Sequence, residues 1–458
     1  MVHSLKDFSH PFFIGIAGTG MSALAQYLQG SGKQVSGSDR FFAAGVYNEV
    51  QEKLEVMGIR CFTQNGEGIT AKTDLVVVST AIEDTVVEVV KARQLNIPVI
   101  RRSELLALIA SSKKTIAVGG TSGKSTTSAM IYDILLYAGL EPGIISGAGL
   151  VSLIKKGMIG NASVGKGEWL VIEADESDGS IVQYKPEIGV LLNIDKDHQE
   201  LEELVRLFAL FKQNSTRFIT NRSHSLTAPL SADISVDFST SENEPAGYQA
   251  KDFQQDGLHI SFSVNGESFG LHLPGRHNME NAVAAAAAAG LAGVDLKLSA
   301  KALAGYQGIY RRHQVLGQKK GIWLIDDYAH NPVKCAAAIA ACQPFTSKVV
   351  AWFQPHGYKP TKFLRDDFVK EFSAVLRPDD ELWMSEIFYA GGTAVKDISA
   401  ADLVNDIREK GHNAFFIENR RDFLSAARAH LATGTVILLM GARDPSLENF
   451  AKEVWEEL

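Results

Sequence analysis

Short apolar runs recur along the chain, and most are followed by a stretch with helical spacing. Pro11-Phe-Phe-Ile-Gly-Ile16 reads as a buried strand, with a helix from Met21 to about Gly30 and a second strand over Gln34–Asp39. Asp74–Thr80 is a further strand, Val86–Leu95 a helix, Ile97–Ile100 a short strand and Ser103–Ala110 a connecting helix. The rhythm resumes at Thr115–Val118, Trp169–Ile172 and Ile188–Leu192, then again at Gly321–Asp326, Lys348–Phe353, Glu381–Met384, Ala414–Ile417 and Thr435–Met440. Strand–helix alternation of this kind predicts parallel sheets covered by helices on both faces.

One region breaks the rhythm. Between Ser225 and Gly270 the runs are short and alternating, with a turn at Asn265-Gly266, which predicts antiparallel strands on the flank of the middle domain. Pro274–Asn281 then opens a very alanine-rich helix, Ala282–Leu291, which packs closely and reads as scaffold. Boundaries are expected at Ser111–Lys114 and at Tyr310–His313. The expected domains are therefore residues 1–112, 113–314 and 315–458.

Composition bounds this picture. The chain has 458 residues, room for about three domains of ordinary size. A hydrophobic content of 45% supports packed cores, and a net charge of -8 argues against general binding to nucleic acid or anionic membrane. The three cysteines, Cys61, Cys335 and Cys342, form no CxxC pair and suit buried thiols in a reducing compartment. No membrane-length apolar run and no signal-peptide core are apparent, so a cytoplasmic location is expected.

The candidate chemistry lies at strand ends. Gly119-Gly-Thr-Ser-Gly-Lys-Ser-Thr126 follows one apolar strand and precedes a helix from Thr127 to Tyr137. Glycines let backbone N–H groups curl around phosphates, the helix N-terminus and Lys124 add positive charge, and Ser125 offers a hydroxyl to Mg2+. The strict Walker spacing needs Gly where the chain has Val118, and the bland alternative is a glycine turn with a surface lysine. Glu173, Asp175, Glu176 and Asp178 follow the Trp169–Ile172 strand, placed either for Mg2+ or as a solvated loop. Asn193, Asp195, Asp197 and His198 follow the next strand, where His198 is a metal ligand or a satisfied surface residue.

Gly18-Thr-Gly-Met-Ser-Ala23 with Asp39 is a G-x-G-x-x-A pattern open to three readings: NAD(P), another nucleotide diphosphate, or a tight turn. Asn278 and Asn281 either cap the alanine-rich helix or read a base edge. Arg311 and Arg312 either face solvent or swing onto phosphate. Asp326-Asp-Tyr-Ala-His330 ends a strand of the last sheet, where open sheets bind ligands.

Taken in order, these motifs, with His277-Asn-x-x-Asn281 and Phe353-Gln-Pro-His356, resemble the Mur ligase family of ATP-dependent peptidoglycan precursor ligases over nearly the whole chain. The similarity is greatest to the branch that joins L-alanine to UDP-N-acetylmuramate. A neighbouring branch that reattaches murein tripeptide, and a non-catalytic UDP-muropeptide binder, are the alternatives. The resemblance implies an α/β fold of three domains: Rossmann-like and UDP-binding, central P-loop ATPase-like with a flanking antiparallel sheet, and C-terminal Rossmann-like for the amino acid. It implies ATP and Mg2+, a monomer or homodimer, and no nucleic-acid or membrane partner.

By the same resemblance Gly18, Thr19, Gly20 and Met21 face the UDP-sugar, with Asp39, Ser79, Thr80 and Ala81 lining its pocket. Gly120, Thr121, Ser122, Gly123, Lys124, Ser125 and Thr126 hold ATP, with Asn281 at adenine. Arg312 and Asp327 reach the γ-phosphate and ribose when the third domain closes, with His330 nearby. Ser125, Glu173 and His198 serve Mg2+, and Lys124, Glu173, His198, Arg312 and His330 form the catalytic set.

Two departures stand out. Ser122 and Ser125 occupy positions where the family's Thr-His-Gly-Lys-Thr-Thr has His and Thr. Gly357 and Pro360 stand where that branch carries arginines near the acceptor carboxylate, with Lys359 and Lys362 as possible point-charge substitutes.

Overall fold

The first apolar runs form an all-parallel sheet from β1 (Pro11–Ile14), β2 (Ser36–Asp39), β3 (Arg60–Thr63), β4 (Leu75–Val78) and β5 (Val99–Arg101). Its order is β3-β2-β1-β4-β5, so the direction of winding reverses between β1 and β4. Such a reversal opens a crevice at the C-terminal ends of the strands. The turn after β1 and the loop Ser79–Ala81 after β4 both lie there. This structure is a computed structural model that describes residues 2–43, 45, 47–195, 200–389, 395–444 and 446–458.

The second sheet comprises β6 (Lys114–Gly119), β7 (Gly143–Ile145), β8 (Ala162–Ser163), β9 (Trp169–Glu173), β10 (Ile188–Leu191) and β11 (Arg217–Thr220). Its order is β11-β10-β6-β9-β7-β8, parallel except for the β7/β8 pair. The glycine-turn strand β6 therefore lies between the two strands that end in acids, β9 and β10. Burial on both faces explains their unbroken apolar runs.

A third sheet holds β12 (Phe238–Ser239), β13 (Tyr248–Asp256), β14 (His259–Val264) and β15 (Glu267–Leu271). β14 and β15 form the antiparallel hairpin expected around Asn265-Gly266. β12, only two residues long, runs parallel to β13. The buried Asp237 carboxylate accepts hydrogen bonds from the Thr220 N–H and the Ser231 hydroxyl, which ties this segment to the edge of the second sheet.

The fourth sheet contains β16 (Gln314–Lys319), β17 (Ile322–Asp327), β18 (Val349–Gln354), β19 (Glu381–Ser385), β20 (Asn413–Ile417) and β21 (Val436–Gly441). In order β16-β17-β21-β18-β19-β20, only β16 is antiparallel. One face buries Ile339, Phe368, Phe372 and Leu403; the other buries Phe423, Leu424, Phe450 and Val454.

The chain separates into two compact units: Met1–Gln254 with Ile260–Gly308, and Gln255–His259 with Ile309–Leu458. The first holds the first two sheets, which share one large apolar cluster, with a smaller one around Phe12, Ile14 and Val76. Cys61 is half-buried, Cys335 and Cys342 are buried, and all three are free thiols. Among the described residues no helix is long and apolar enough to cross a membrane.

Candidate active site

The turn after β6 is shaped by two glycines. Gly120 has φ +137° and Gly123 φ +83°, backbone that L side chains rarely adopt. Space excludes a side chain at Gly123 as well, since an added Cβ would stand 2.4 Å from Asn281 Oδ1. The helix starts at Lys124, three residues earlier than its apolar spacing predicts, and runs to Tyr137. Lys124 folds back over the turn and donates to the Gly120 carbonyl and to Glu176 Oε2, each at 2.7 Å.

Asn193, at the end of β10, braces the turn. Its Oδ1 accepts from the Ser122 N–H at 2.8 Å and the Thr121 hydroxyl at 2.9 Å. Asn281, from the helix Arg276–Leu291, accepts from Thr127 Oγ1 at 3.2 Å and is 7% exposed. In this structure Asn281 lies against the glycine turn itself. Asp195 joins the brace through Thr121 Oγ1 and receives His224 Nε2 at 3.3 Å.

The four acids after β9 divide their work. Glu173 Oε1 accepts from Ser146 Oγ at 2.6 Å and the Gly147 N–H at 2.7 Å. Register places Glu173 beside Val118, directly before the glycine turn. Burial raises the Glu176 carboxyl above its ordinary value, and the Lys124 ammonium opposes that rise. Burial pushes the Asp175 carboxyl up too, but the Lys124 charge and the Ser177 N–H outweigh it and hold Asp175 below the usual range. Asp178 accepts from the Ser180 N–H at 2.9 Å and faces Arg102 at 3.7 Å.

Mg2+ takes oxygen donors and keeps waters and phosphate oxygens in its shell. The half-buried Ser125 hydroxyl and the Glu173 carboxylate, held by two donors, match that chemistry. His198, expected as a further ligand, lies outside the described residues, as do Asp197 and Lys196. Among the described residues no group of three or more His, Cys, Asp or Glu side chains could hold a metal.

At the first sheet, the helix Thr19–Gly30 begins directly after Gly18, so Gly18, Thr19, Gly20 and Met21 form its N-terminus. That end carries partial positive charge and free N–H groups. Asp39 does not reach outward: its Oδ2 accepts from the Ala17 N–H at 3.0 Å and its Oδ1 from the Phe41 N–H at 3.0 Å. Its part here is to fix the glycine turn, with 5% of its surface exposed. Thr80 and Ala81 are exposed and Ser79 is half-buried.

Arg102 is a residue the sequence reading missed. A Cβ on Gly20 would meet Arg102 Cδ at 3.0 Å, so this side chain lies across the helix entry while its guanidinium faces Asp178. The only signal was the arginine pair Arg101-Arg102 after β5.

In the second unit the arginine pair separates. Arg311 is buried, donating from Nε to Asp326 Oδ2 at 2.9 Å and from Nη2 to the Gly441 carbonyl at 3.0 Å. Arg312 is exposed and sits 5.2 Å from the Tyr328 ring centroid. Asp327 accepts from the His313 N–H at 2.6 Å and the Ala329 N–H at 2.7 Å, and burial raises its carboxyl above the usual value. His330 donates from Nδ1 to the Tyr328 carbonyl at 2.9 Å, which leaves Nε2 as an acceptor in the neutral ring.

The glycine turn, Lys124 and the acids after β9 thus lie together in the first unit. His330, Asp327 and Arg312 gather at strand ends of the second.

The chain matches three family profiles: "Mur ligase family, catalytic domain" over residues 11–114, "Mur ligase middle domain" over 118–289, and "Mur ligase, glutamate ligase domain" over 311–443. It is 34% identical over 446 residues to a UDP-N-acetylmuramate–L-alanine ligase of Carboxydothermus hydrogenoformans, spanning 94% of this chain and 93% of the relative. A protein of the same name from Synechococcus is 34% identical over 475 residues, spanning 97% and 94%. Among solved structures, the UDP-N-acetylmuramate-alanine ligase of Thermotoga maritima superposes with a TM-score of 0.80 at 25% identity, covering 98% of both chains. A murein peptide ligase of Psychrobacter arcticus shares the fold, with a TM-score of 0.68 at 21% identity and 98% coverage of both.

Proposed function

The chain belongs to the Mur ligase family, and from that premise we propose how its residues serve the reaction. It is an ATP-dependent amide ligase that joins L-alanine to the carboxylate of UDP-N-acetylmuramate. The observation that carries the residue assignment is Lys124, clamped between the Gly120 carbonyl and Glu176 in a glycine turn flanked by acid-ended strands.

A carboxylate acylates amines poorly because oxide is a bad leaving group. Transfer of the ATP γ-phosphoryl to the lactyl carboxylate gives an acyl phosphate and ADP. Amine attack then forms the C–N bond, breaks the C–O bond and releases phosphate. Phosphoryl transfer depends mainly on positioning and charge neutralisation. Lys124 supplies a full positive charge, and the N–H groups at the helix start, Gly123, Lys124 and Ser125, face the phosphates, those of Thr121 and Ser122 being held by Asn193. Ser125 and Glu173, with His198, would hold Mg2+, which supplies further neutralisation when bound.

We assign Gly18–Met21, Arg102 and Ser79–Ala81 to the UDP-sugar, Asp39 to support of that turn, and Asn281, Arg312 and Asp327 to ATP. We propose domains at 1–112, 113–314 and 315–458; the separation of the sheets and the three profile matches support a division near these limits, the last profile beginning at residue 311. We propose a cytoplasmic location, which suits a reaction that consumes ATP.

The test is phosphate release with UDP-N-acetylmuramate against a panel of amino acids and the murein tripeptide. L-Alanine is expected to give the highest kcat/KM, and Lys124→Ala to abolish ADP formation while UDP-sugar binding persists. Preference for the tripeptide would transfer the assignment to the recycling branch. Wild-type turnover in Lys124→Ala would refute the role given to that lysine.

A further inference from the structure

The three central strands of the fourth sheet, β17, β21 and β18, run parallel side by side. Register pairs Asp327 with Met440 and Gln354 with Gly441. Three residues past Asp327 stands His330, three past Met440 stands Arg443, and two past Gln354 stands His356. Three neighbouring strand ends therefore each deliver one basic side chain to the C-terminal edge where open sheets bind ligands. The His330 and His356 rings lie 5.6 Å apart. Burial is the main cause that keeps both imidazoles neutral; the Lys334, Arg312 and Arg443 charges add to it at His330, and His330 and Arg443 add to it at His356.

Arg443 is held there against its own preference. Its φ is +64°, in the left-handed region that favours glycine. Its neighbours Ala442 and Asp444 are 2% and 6% exposed, and Asp444 is anchored by Arg420 and by the Ser446 N–H. The backbone is pinned on both sides while the Arg443 side chain is exposed. Strain imposed by surroundings in this way points to function.

Several cations of this unit are engaged in ion pairs, while the exposed Arg312 also acts on His330. Arg311 is bound to Asp326, Arg420 to Asp444, and Lys362 to Asp397 at 2.5 Å. Among the described residues the Arg443 guanidinium has no hydrogen-bond or ion-pair partner. His356 Nδ1 is buried without a partner as well.

We propose that Arg443 recognises the carboxylate of the acceptor amino acid, with His330 and His356 as its neutral flanks. This rests on the ligase reading above. A planar guanidinium fork matches a carboxylate bidentately, which neither Lys359 nor Lys362 can do. Neutral imidazoles beside it donate or accept without repelling the incoming α-amine.

The experiment compares wild type, Arg443→Gly, Arg443→Lys and Lys359→Ala in phosphate release, with L-alanine and with L-alaninamide as acceptor. Glycine suits φ +64°, so Arg443→Gly is expected to melt at or above the wild-type temperature, which separates lost recognition from lost folding. Its KM for L-alanine should rise about tenfold to a hundredfold. The KM values for ATP and UDP-N-acetylmuramate should stay put, and so should that for the amide, which has no carboxylate to lose. Arg443→Lys should fall between, and Lys359→Ala should match wild type. An unchanged KM for L-alanine in Arg443→Gly, or a rise confined to Lys359→Ala, overturns the assignment alone. Absence of wild-type turnover with every amine overturns the ligase reading and this assignment with it.

Discussion

Replacing Gly123 by alanine sets the glycine turn against its own geometry. At φ +83° an L side chain costs about 1–2 kcal/mol. The new Cβ would also stand 2.4 Å from Asn281 Oδ1, too close for either group to stay. Moving the amide breaks its 3.2 Å bond from Thr127 Oγ1, worth about 0.5–1.5 kcal/mol. The total is about 1.5–3.5 kcal/mol. If the turn keeps its shape, that penalty lowers the unfolding free energy. If the turn relaxes in the free protein, nucleotide must re-form it, and the penalty appears as an affinity loss of about 10- to 400-fold. Urea unfolding and calorimetric ADP titration, run on the same protein, should together recover the total. Adding Asn281→Ala removes the clash but not the backbone cost, so the double variant should be less impaired than the sum by about 1 kcal/mol. Stability and ADP affinity both within about 0.5 kcal/mol of wild type would refute the reasoning.

Two further expectations follow from buried charges. Glu176→Ala strands the Lys124 ammonium, whose side chain is 16% exposed, so unfolding should become easier by about 2–4 kcal/mol. A saturating ATP analogue should narrow that gap by re-pairing the lysine; an equal gap with and without it would count against Lys124 contacting phosphate. Burial lowers the His313 imidazole from 6.5 to about 4. Its folded value lies below the unfolded one, so its contribution is full above pH 6.5 and is lost as pH falls toward about 4, by roughly 3 kcal/mol in all. Asp326, raised by burial to about 6, acts in the opposite sense, so the readout is the difference between wild type and His313→Gln in urea midpoints from pH 7.5 to 5. Identical pH slopes would contradict it.

Strand–helix alternation was legible because fully buried parallel strands are apolar throughout, as β10 and β21 are. Helix starts were less so. The helices beginning at Thr19, Lys124 and Arg276 all open on polar or small residues that precede the apolar spacing. The placement of candidate groups was legible where chemistry and spacing coincide: the glycine turn, Lys124 and Glu173 lie on adjoining strand ends. It was not legible where a polar side chain supports backbone instead of ligand. Asn193 and Asp39 both looked like site groups, and both turn inward to hold a glycine turn. Arg102 and Arg443 escaped because each gains its meaning from partners distant in sequence. The short parallel strand β12 escaped for the same reason, its direction being tied to Asp237.

The central claim is that the γ-phosphoryl of ATP passes through the sugar's carboxylate, and isotope labelling follows that oxygen directly. With UDP-N-acetylmuramate carrying heavy oxygen in both carboxylate positions, one turnover with L-alanine should leave one heavy oxygen in the amide and one in the released phosphate. Phosphate free of the label, with ADP formed at the same rate, would contradict the account.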